Sequence, residues 1–308
     1  MAIVIIHPKQ ADLWVKALKE IDSRLDIRLY PDDDRREEVD FALTWRHPYG
    51  LFTHYPNLRC ISSMGAGVDH LLRDPDLPSQ VTITRLVDPF LAQDMAEFVL
   101  ALVMGHLRNL SDFKLKQIHR EWYPSEYTRV QDVTIGVMGM GAIGKNVALQ
   151  LQKSGFHVQG WARTPKAWPE IKVYSGTSGF SDFLTQSNIL VCVLPLTPQT
   201  QGIVNKTTLQ QLPKNAFVIN VGRGEHLLED DLVAMIDEGH ISGASLDVFG
   251  KEPLPADSPL WNHPKINVTP HIASITDPIS VAPQIVKNYY ALQEGKELIN
   301  TVDLLKGY

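Results

Sequence analysis

Three glycines, at 139, 141 and 144, constrain this chain more than any other feature. The run GMGAIG follows VTIGVM, an apolar β-branched strand pattern, and opens KNVALQLQKSG, an amphipathic helix pattern. A strand, a glycine turn and a helix at this spacing begin a doubly wound α/β unit. Gly139 permits the tight turn, Gly141 lets a pyrophosphate approach the backbone, and Gly144 lets the helix pack on the strand. Ala142 and Ile143 then place free amides and the positive end of the helix dipole toward phosphate. The motif predicts a dinucleotide site.

The same alternation extends in both directions. Before the turn, IVIIH (3–7), DIRLY (26–30), FALTW (41–45) and LRCISSM (58–64) read as buried parallel strands, with a helix over 14–21. The charge run PDDDRREEVD (31–40) reads as a solvated turn and helix start. Asp88 is a helix N-cap with Pro89 at the first helical position, and the apolar spacing runs on to about residue 107. A helix apolar on most faces suits a domain junction. After it, six strands are expected, at 133–139, 156–161, 189–195, 216–222, 243–248 and 266–270. A helix over 277–291 returns the tail to the first domain. The division is therefore residues 1–88 with 275–308 as one domain and 89–274 as the other.

Composition narrows the function classes. A net charge of −6 argues against a nucleic-acid surface, which needs a basic face. The two cysteines, Cys60 and Cys192, lie in apolar stretches and read as buried small hydrophobes, with no disulfide framework or zinc site. No stretch approaches the roughly 20 apolar residues of a membrane span, and MAIVIIHPK lacks a signal peptide's basic leader. A cytoplasmic protein is expected.

The second strand of the nucleotide fold ends in GWARTPK (160–166), where an acid would ordinarily hold ribose hydroxyls. Ala162 removes the repulsion such an acid would exert on a 2′-phosphate. Arg163 offers a planar fork, Thr164 a hydroxyl and Lys166 a point charge. NADPH is the expected cofactor, preferred over NADH.

Three further stretches fall at the carboxyl ends of expected strands, where open α/β sheets bind ligands. NVGRGE carries Arg223, DVFGKEPLP carries Asp247 and Glu252, and TPHIAS carries His271. An imidazole can donate a proton near neutrality, a carboxylate can orient it, and a guanidinium can polarise a keto oxygen. His7, His47, His106 and His226 have no comparable context and are assigned no role.

In order along the chain, GMGAIG, LPLTPQTQGIVN (194–205), INVGRG, SLDVFGKEPLP and TPHIAS resemble the D-isomer-specific 2-hydroxyacid dehydrogenases. WARTPK, MGAGVD (64–69) and the compact TPHIAS are most similar to the glyoxylate/hydroxypyruvate reductases among them. The resemblance implies a Rossmann dinucleotide-binding domain and a smaller flavodoxin-like substrate domain, both doubly wound. It implies a catalytic set of Arg223, Glu252 and His271, with Asp247 facing the nicotinamide carboxamide. Leu194 and Pro195 join the cofactor contacts. The amides around Ala66 and Gly67 take the carboxylate of a small 2-keto acid, and Arg223 grips the same substrate. Trp45 either walls the substrate pocket or packs in the core. A homodimer is expected, with Glu121–Tyr127 in its arm and Trp122 or Tyr123 near a neighbouring active site. Two alternatives stay open: a reductase of bulkier 2-keto acids, and a nucleotide-sensing interaction protein resembling transcriptional corepressors.

Overall fold

The computed structural model describes residues 1–7, 9–304, 306 and 307. The chain forms two compact units, Met1–Phe90 with Thr276–Tyr308, and Leu91–Ile275.

The first unit is a parallel sheet of β1 (Ala2–Ile6), β2 (Ile27–Leu29), β3 (Val39–Thr44), β4 (Cys60–Ser63) and β5 (Thr82–Thr84). Their spatial order is β2-β1-β3-β4-β5, the flavodoxin-like winding. Every side chain of β1 is buried, because both faces of the sheet are covered. On one face Trp14 and Leu18 of the helix Ala11–Ile21 meet Val281, Ile285 and Tyr289 of the helix Pro278–Gln293. Phe52, Tyr55 and Leu71 cover the other face. Asp277 starts the last helix by accepting from the amides of Ile279 and Ser280, with Pro278 at its first position. The charge run at 31–40 is not fully solvated: Asp33 is buried, accepting from the Tyr55 hydroxyl at 2.7 Å and from Arg36.

The second unit is a seven-stranded parallel sheet: β6 (Thr134–Met138), β7 (His157–Ala162), β8 (Lys172–Ser175), β9 (Ile189–Cys192), β10 (Ala216–Asn220), β11 (Ile241–Leu246) and β12 (Ile266–Val268). The order β12-β11-β10-β9-β6-β7-β8 is the dinucleotide-binding winding with one strand added. Six of these strands answer to the sequence expectation and β8 is the seventh. KVYS has no apolar run because it forms a sheet edge with its residues half-buried or exposed.

The helix Pro89–Leu107 also departs from expectation, being long and apolar enough by length and composition to cross a membrane. Its apolarity has another use here. Met95, Ala96, Val99, Val103 and Leu107 pack into a core with Val133, Ile135 and Val147. Cys60 and Cys192 are free and buried, and burial pushes both thiols up to about 12.

Candidate active site

The nucleotide turn lies where the winding of the second sheet reverses, between neighbouring strands β6 and β9. Gly139 has φ +105°, and a Cβ there would lie 2.9 Å from the Val193 carbonyl oxygen at the end of β9. At Gly144 a Cβ would stand 1.7 Å from the Gly139 carbonyl oxygen, so only glycine lets the helix Ala142–Lys153 approach this closely. Gly141 is different: a Cβ there meets nothing within 4 Å. Two glycines are fixed by packing and the third faces open space, which fits a cradle for pyrophosphate at the exposed first turn. Leu194 is buried beside this turn, and Pro195 is half-buried with its carbonyl taking the Thr200 hydroxyl at 2.8 Å.

After β7 the chain turns at WARTPK. Trp161 is buried against Phe180 and donates its indole N–H to the Gly176 carbonyl at 3.0 Å. Ala162 is buried at the strand end, so no carboxylate projects where a ribose would lie. Arg163 is half-buried, with Nη1 3.4 Å from Gln199 Oε1, while Thr164 and Lys166 are exposed. Charge and hydroxyl donors without a competing acid fit a 2′-phosphate.

Three loops at the carboxyl ends of β10, β11 and β12 carry the remaining groups. Arg223 follows β10 in a turn held by its neighbours: Asn220 Nδ2 donates to the Arg223 carbonyl at 2.9 Å, and the Arg223 amide donates to His226 Nδ1 at 3.0 Å. His226, assigned no role from sequence, is fully buried and sets the backbone that aims Arg223. Nothing in the local pattern marks it beyond its position three residues after the arginine. Gly224 locks this turn onto the next loop, since a Cβ there would fall 1.8 Å from the Phe249 carbonyl carbon.

Glu252 belongs to that next loop, with Oε1 accepting from the Phe249 amide at 3.2 Å. Its carboxylate reaches His271, with Nδ1 2.8 Å from Oε2 and 3.0 Å from Oε1. An ionised carboxylate only accepts, so Nδ1 carries the hydrogen and Nε2 is the ring nitrogen left for a substrate. The two side chains are 32% and 19% exposed, open enough for a ligand yet partly withdrawn from water. Among the sequence candidates, Glu252 and His271 are thus brought into direct contact.

Asp247 sits beneath this pair and is 1% exposed. Its Oδ1 accepts from Thr269 Oγ1 at 2.6 Å and the Ile272 amide at 2.9 Å, and its Oδ2 from the Ala273 amide at 2.8 Å. The His271 amide donates to the Asp247 carbonyl at 2.8 Å. One aspartate therefore ties down the loop in which His271 holds a left-handed φ of +53°. Such conformations persist only where surrounding bonds fix them.

In the first unit, Trp45 follows β3 half-buried and lies against Gly65, where a Cβ would come 3.0 Å from its ring. It also packs on His70 with ring centroids 4.9 Å apart. Ala66 and Gly67 follow in a loop closed by Ser63 Oγ, which donates to the Gly67 carbonyl at 2.8 Å. Trp45 therefore packs on the core of the first unit and lies against the glycine loop.

Residues 100–273 match the family model described as D-isomer specific 2-hydroxyacid dehydrogenase, NAD binding domain. Over the whole chain the structure is similar to a D-isomer specific 2-hydroxyacid dehydrogenase from Xanthobacter autotrophicus Py2 in complex with NADPH and MES. The identity is 40%, 100% of this chain and 99% of that one are covered, and the TM-score is 0.94. It is also similar to an NADPH-dependent glyoxylate/hydroxypyruvate reductase from Sinorhizobium meliloti in complex with NADP and sulfate, at 33% identity, 100% coverage of both chains and TM-score 0.92. A probable 2-hydroxyacid dehydrogenase from Rhizobium etli CFN 42, in complex with NADP, HEPES and L(+)-tartaric acid, matches at 32% identity, 100% and 99% coverage and TM-score 0.90. Fold, ordered motifs and whole-length likeness agree: this chain belongs to the D-isomer specific 2-hydroxyacid dehydrogenases.

Proposed function

We propose that the protein is an NADPH-dependent reductase of small 2-keto acids, with glyoxylate and hydroxypyruvate as leading substrates. The observation that carries this is the His271 imidazole held through Nδ1 by Glu252. When bound, NADPH supplies the hydride. His271 gives a proton from Nε2 to the developing alkoxide, and Glu252 keeps the ring in that tautomer and orientation. Arg223 binds the substrate and stabilises negative charge on its keto oxygen. The amides of Ala66 and Gly67 take the substrate carboxylate, and Trp45 limits the room beside them. Asp247 fixes the loop that presents His271 and would face the nicotinamide carboxamide of bound cofactor.

Preference for NADPH is supported by Ala162 at the end of β7, by Arg163, Thr164 and Lys166 beyond it, and by relatives crystallised with NADPH or NADP. Gly141, Ala142 and Ile143 would hold the pyrophosphate on a turn that Gly139 and Gly144 shape, with Leu194 and Pro195 beside it. The protein acts as a homodimer. In support, the helix Leu110–His119 buries none of its residues and exposes Leu110, Phe113, Leu115 and Ile118. Trp122 follows at 95% exposure, with Tyr123 and Tyr127 also exposed, and exposed apolar patches of this kind mark interaction sites.

The test is kcat/KM for glyoxylate, hydroxypyruvate, pyruvate and phenylpyruvate, each with NADPH and with NADH. The reading expects the two small substrates with NADPH to lead. A lead for phenylpyruvate would favour a bulky-substrate reductase, and no turnover with any of the four would reject the activity.

A further inference from the structure

Arg85 stands apart from the other arginines of the first unit. Arg28, whose side chain is buried, is surrounded by acceptors: Asp26, Glu38 and the carbonyls of Asp34 and Arg35. Arg24 pairs with Asp22, and Arg36 with Asp33. Arg85 is half-buried, yet it makes no ion pair and no side-chain hydrogen bond among the described residues. Burial lowers its guanidinium below the ordinary value, and no carboxylate offsets the effect. Withdrawing a cation from water without a counter-charge is unfavourable. A guanidinium half-buried without an acceptor, where Arg28 and Arg36 have theirs, is open to an anion from outside.

Its position says which anion. Arg85 is the first residue past β5, and Gly65 lies just past the neighbouring parallel strand β4, with Ser62 paired to Thr84. The Leu86 amide donates to the Gly65 carbonyl at 3.1 Å, so Arg85 adjoins the Gly65–Gly67 loop at the ligand-binding edge of the sheet. The backbone here is pinned on each side. The Arg85 amide donates to the Asn300 carbonyl at 3.1 Å, and Val87 is clamped by Gln284 through both its amide and its carbonyl. A rigid platform lowers the ordering cost of binding.

We propose that Arg85 is a second anion-binding residue for the substrate, receiving the carboxylate of the 2-keto acid beside the Ala66–Gly67 amides. This rests on the reductase reading. It assigns the carboxylate to a cation in the first unit and leaves Arg223 to act on the keto oxygen.

The experiment compares Arg85→Met, which keeps the apolar stem, and Arg85→Lys, which keeps the charge, with the native protein. Oxalate, a planar dicarboxylate, is titrated into the NADP-saturated protein by calorimetry, and KM and kcat are measured for glyoxylate. Arg85→Met is expected to weaken oxalate and raise KM by about tenfold or more, with kcat falling less than KM rises. Arg85→Lys restores part of the loss, NADPH affinity is unchanged, and Tm is unchanged or higher because an unpaired cation is gone. Oxalate affinity and KM within about twofold of native, or a Tm loss that accounts for the weakened binding, would overturn the assignment. Oxalate binding needs no turnover. A native protein that binds oxalate through Arg85 but reduces no keto acid therefore supports Arg85 as an anion site and overturns the reductase reading alone.

Discussion

Asp247 and His271 are joined through the backbone, the His271 amide donating to the Asp247 carbonyl at 2.8 Å while the Asp247 carboxylate holds the residues on either side of the histidine. The position of the imidazole is thus set by a residue buried beneath it. Asp247→Asn replaces an acceptor facing two amides with a group that turns one donor toward another. Leaving buried donors unsatisfied costs about 1–3 kcal/mol. The variant is expected to melt several degrees lower and to lose kcat more than NADPH affinity. Unchanged Tm and kcat would mean the loop holds itself.

Gly224→Ala tests the contact between the arginine turn and the glutamate loop. A Cβ 1.8 Å from the Phe249 carbonyl carbon forces one backbone segment to move, at a cost of about 1–3 kcal/mol or more. Because Arg223 and Glu252 lie on the two segments, kcat should fall together with stability. Gly141→Ala meets no neighbour, so it should fold normally and weaken cofactor binding alone. Thermal melts and NADPH titrations of the pair separate these outcomes.

Arg163→Ala addresses cofactor choice. Loss of one charge-assisted contact to phosphate, about 1.5–3 kcal/mol, should weaken NADPH by about tenfold or more while leaving NADH nearly unchanged. Equal losses for both cofactors would remove Arg163 from phosphate recognition.

Acid sensitivity has a candidate in His106, which is stacked on Phe217 at 3.8 Å and lowered by burial to about 4. Its folded value lies below the unfolded value near 6.5, so below that pH the unfolded chain binds the proton and the folded chain does not. Stability is therefore full above about pH 6.5 and lost as pH falls toward 4. His7 and His47 are also lowered by burial and act in the same direction. The Tm of the native protein should drop between pH 7 and pH 5, and the drop should be smaller in His106→Phe. An identical drop would exclude His106 as a contributor.

Much of this was legible in the chain because it rests on short-range patterns. The glycine turn, the buried strands and the ordered loops after β10, β11 and β12 each announce themselves within about ten residues. What escaped depends on long-range contacts. β8 and β5 are short edge strands without an apolar run, so pairing rather than pattern defines them. His226 earns its place by bonding back to Arg223, and Asp247 by gathering donors 22 to 26 residues ahead. The helix Pro89–Leu107 shows the converse, since its composition alone passes for a membrane span and only its contacts with Ile135 and Val147 show one face of it built into a core.

The contact between His271 and Glu252 carries the account, and His271→Ala tests it most directly. Single-turnover and steady-state reduction of glyoxylate by NADPH should fall by about a hundredfold or more, the range expected on losing a general acid. NADPH affinity and Tm should stay close to native, because the side chain is partly exposed and cofactor contacts lie elsewhere. A variant that still reduces glyoxylate and hydroxypyruvate at near-native rates would contradict the assignment of His271 as the proton donor.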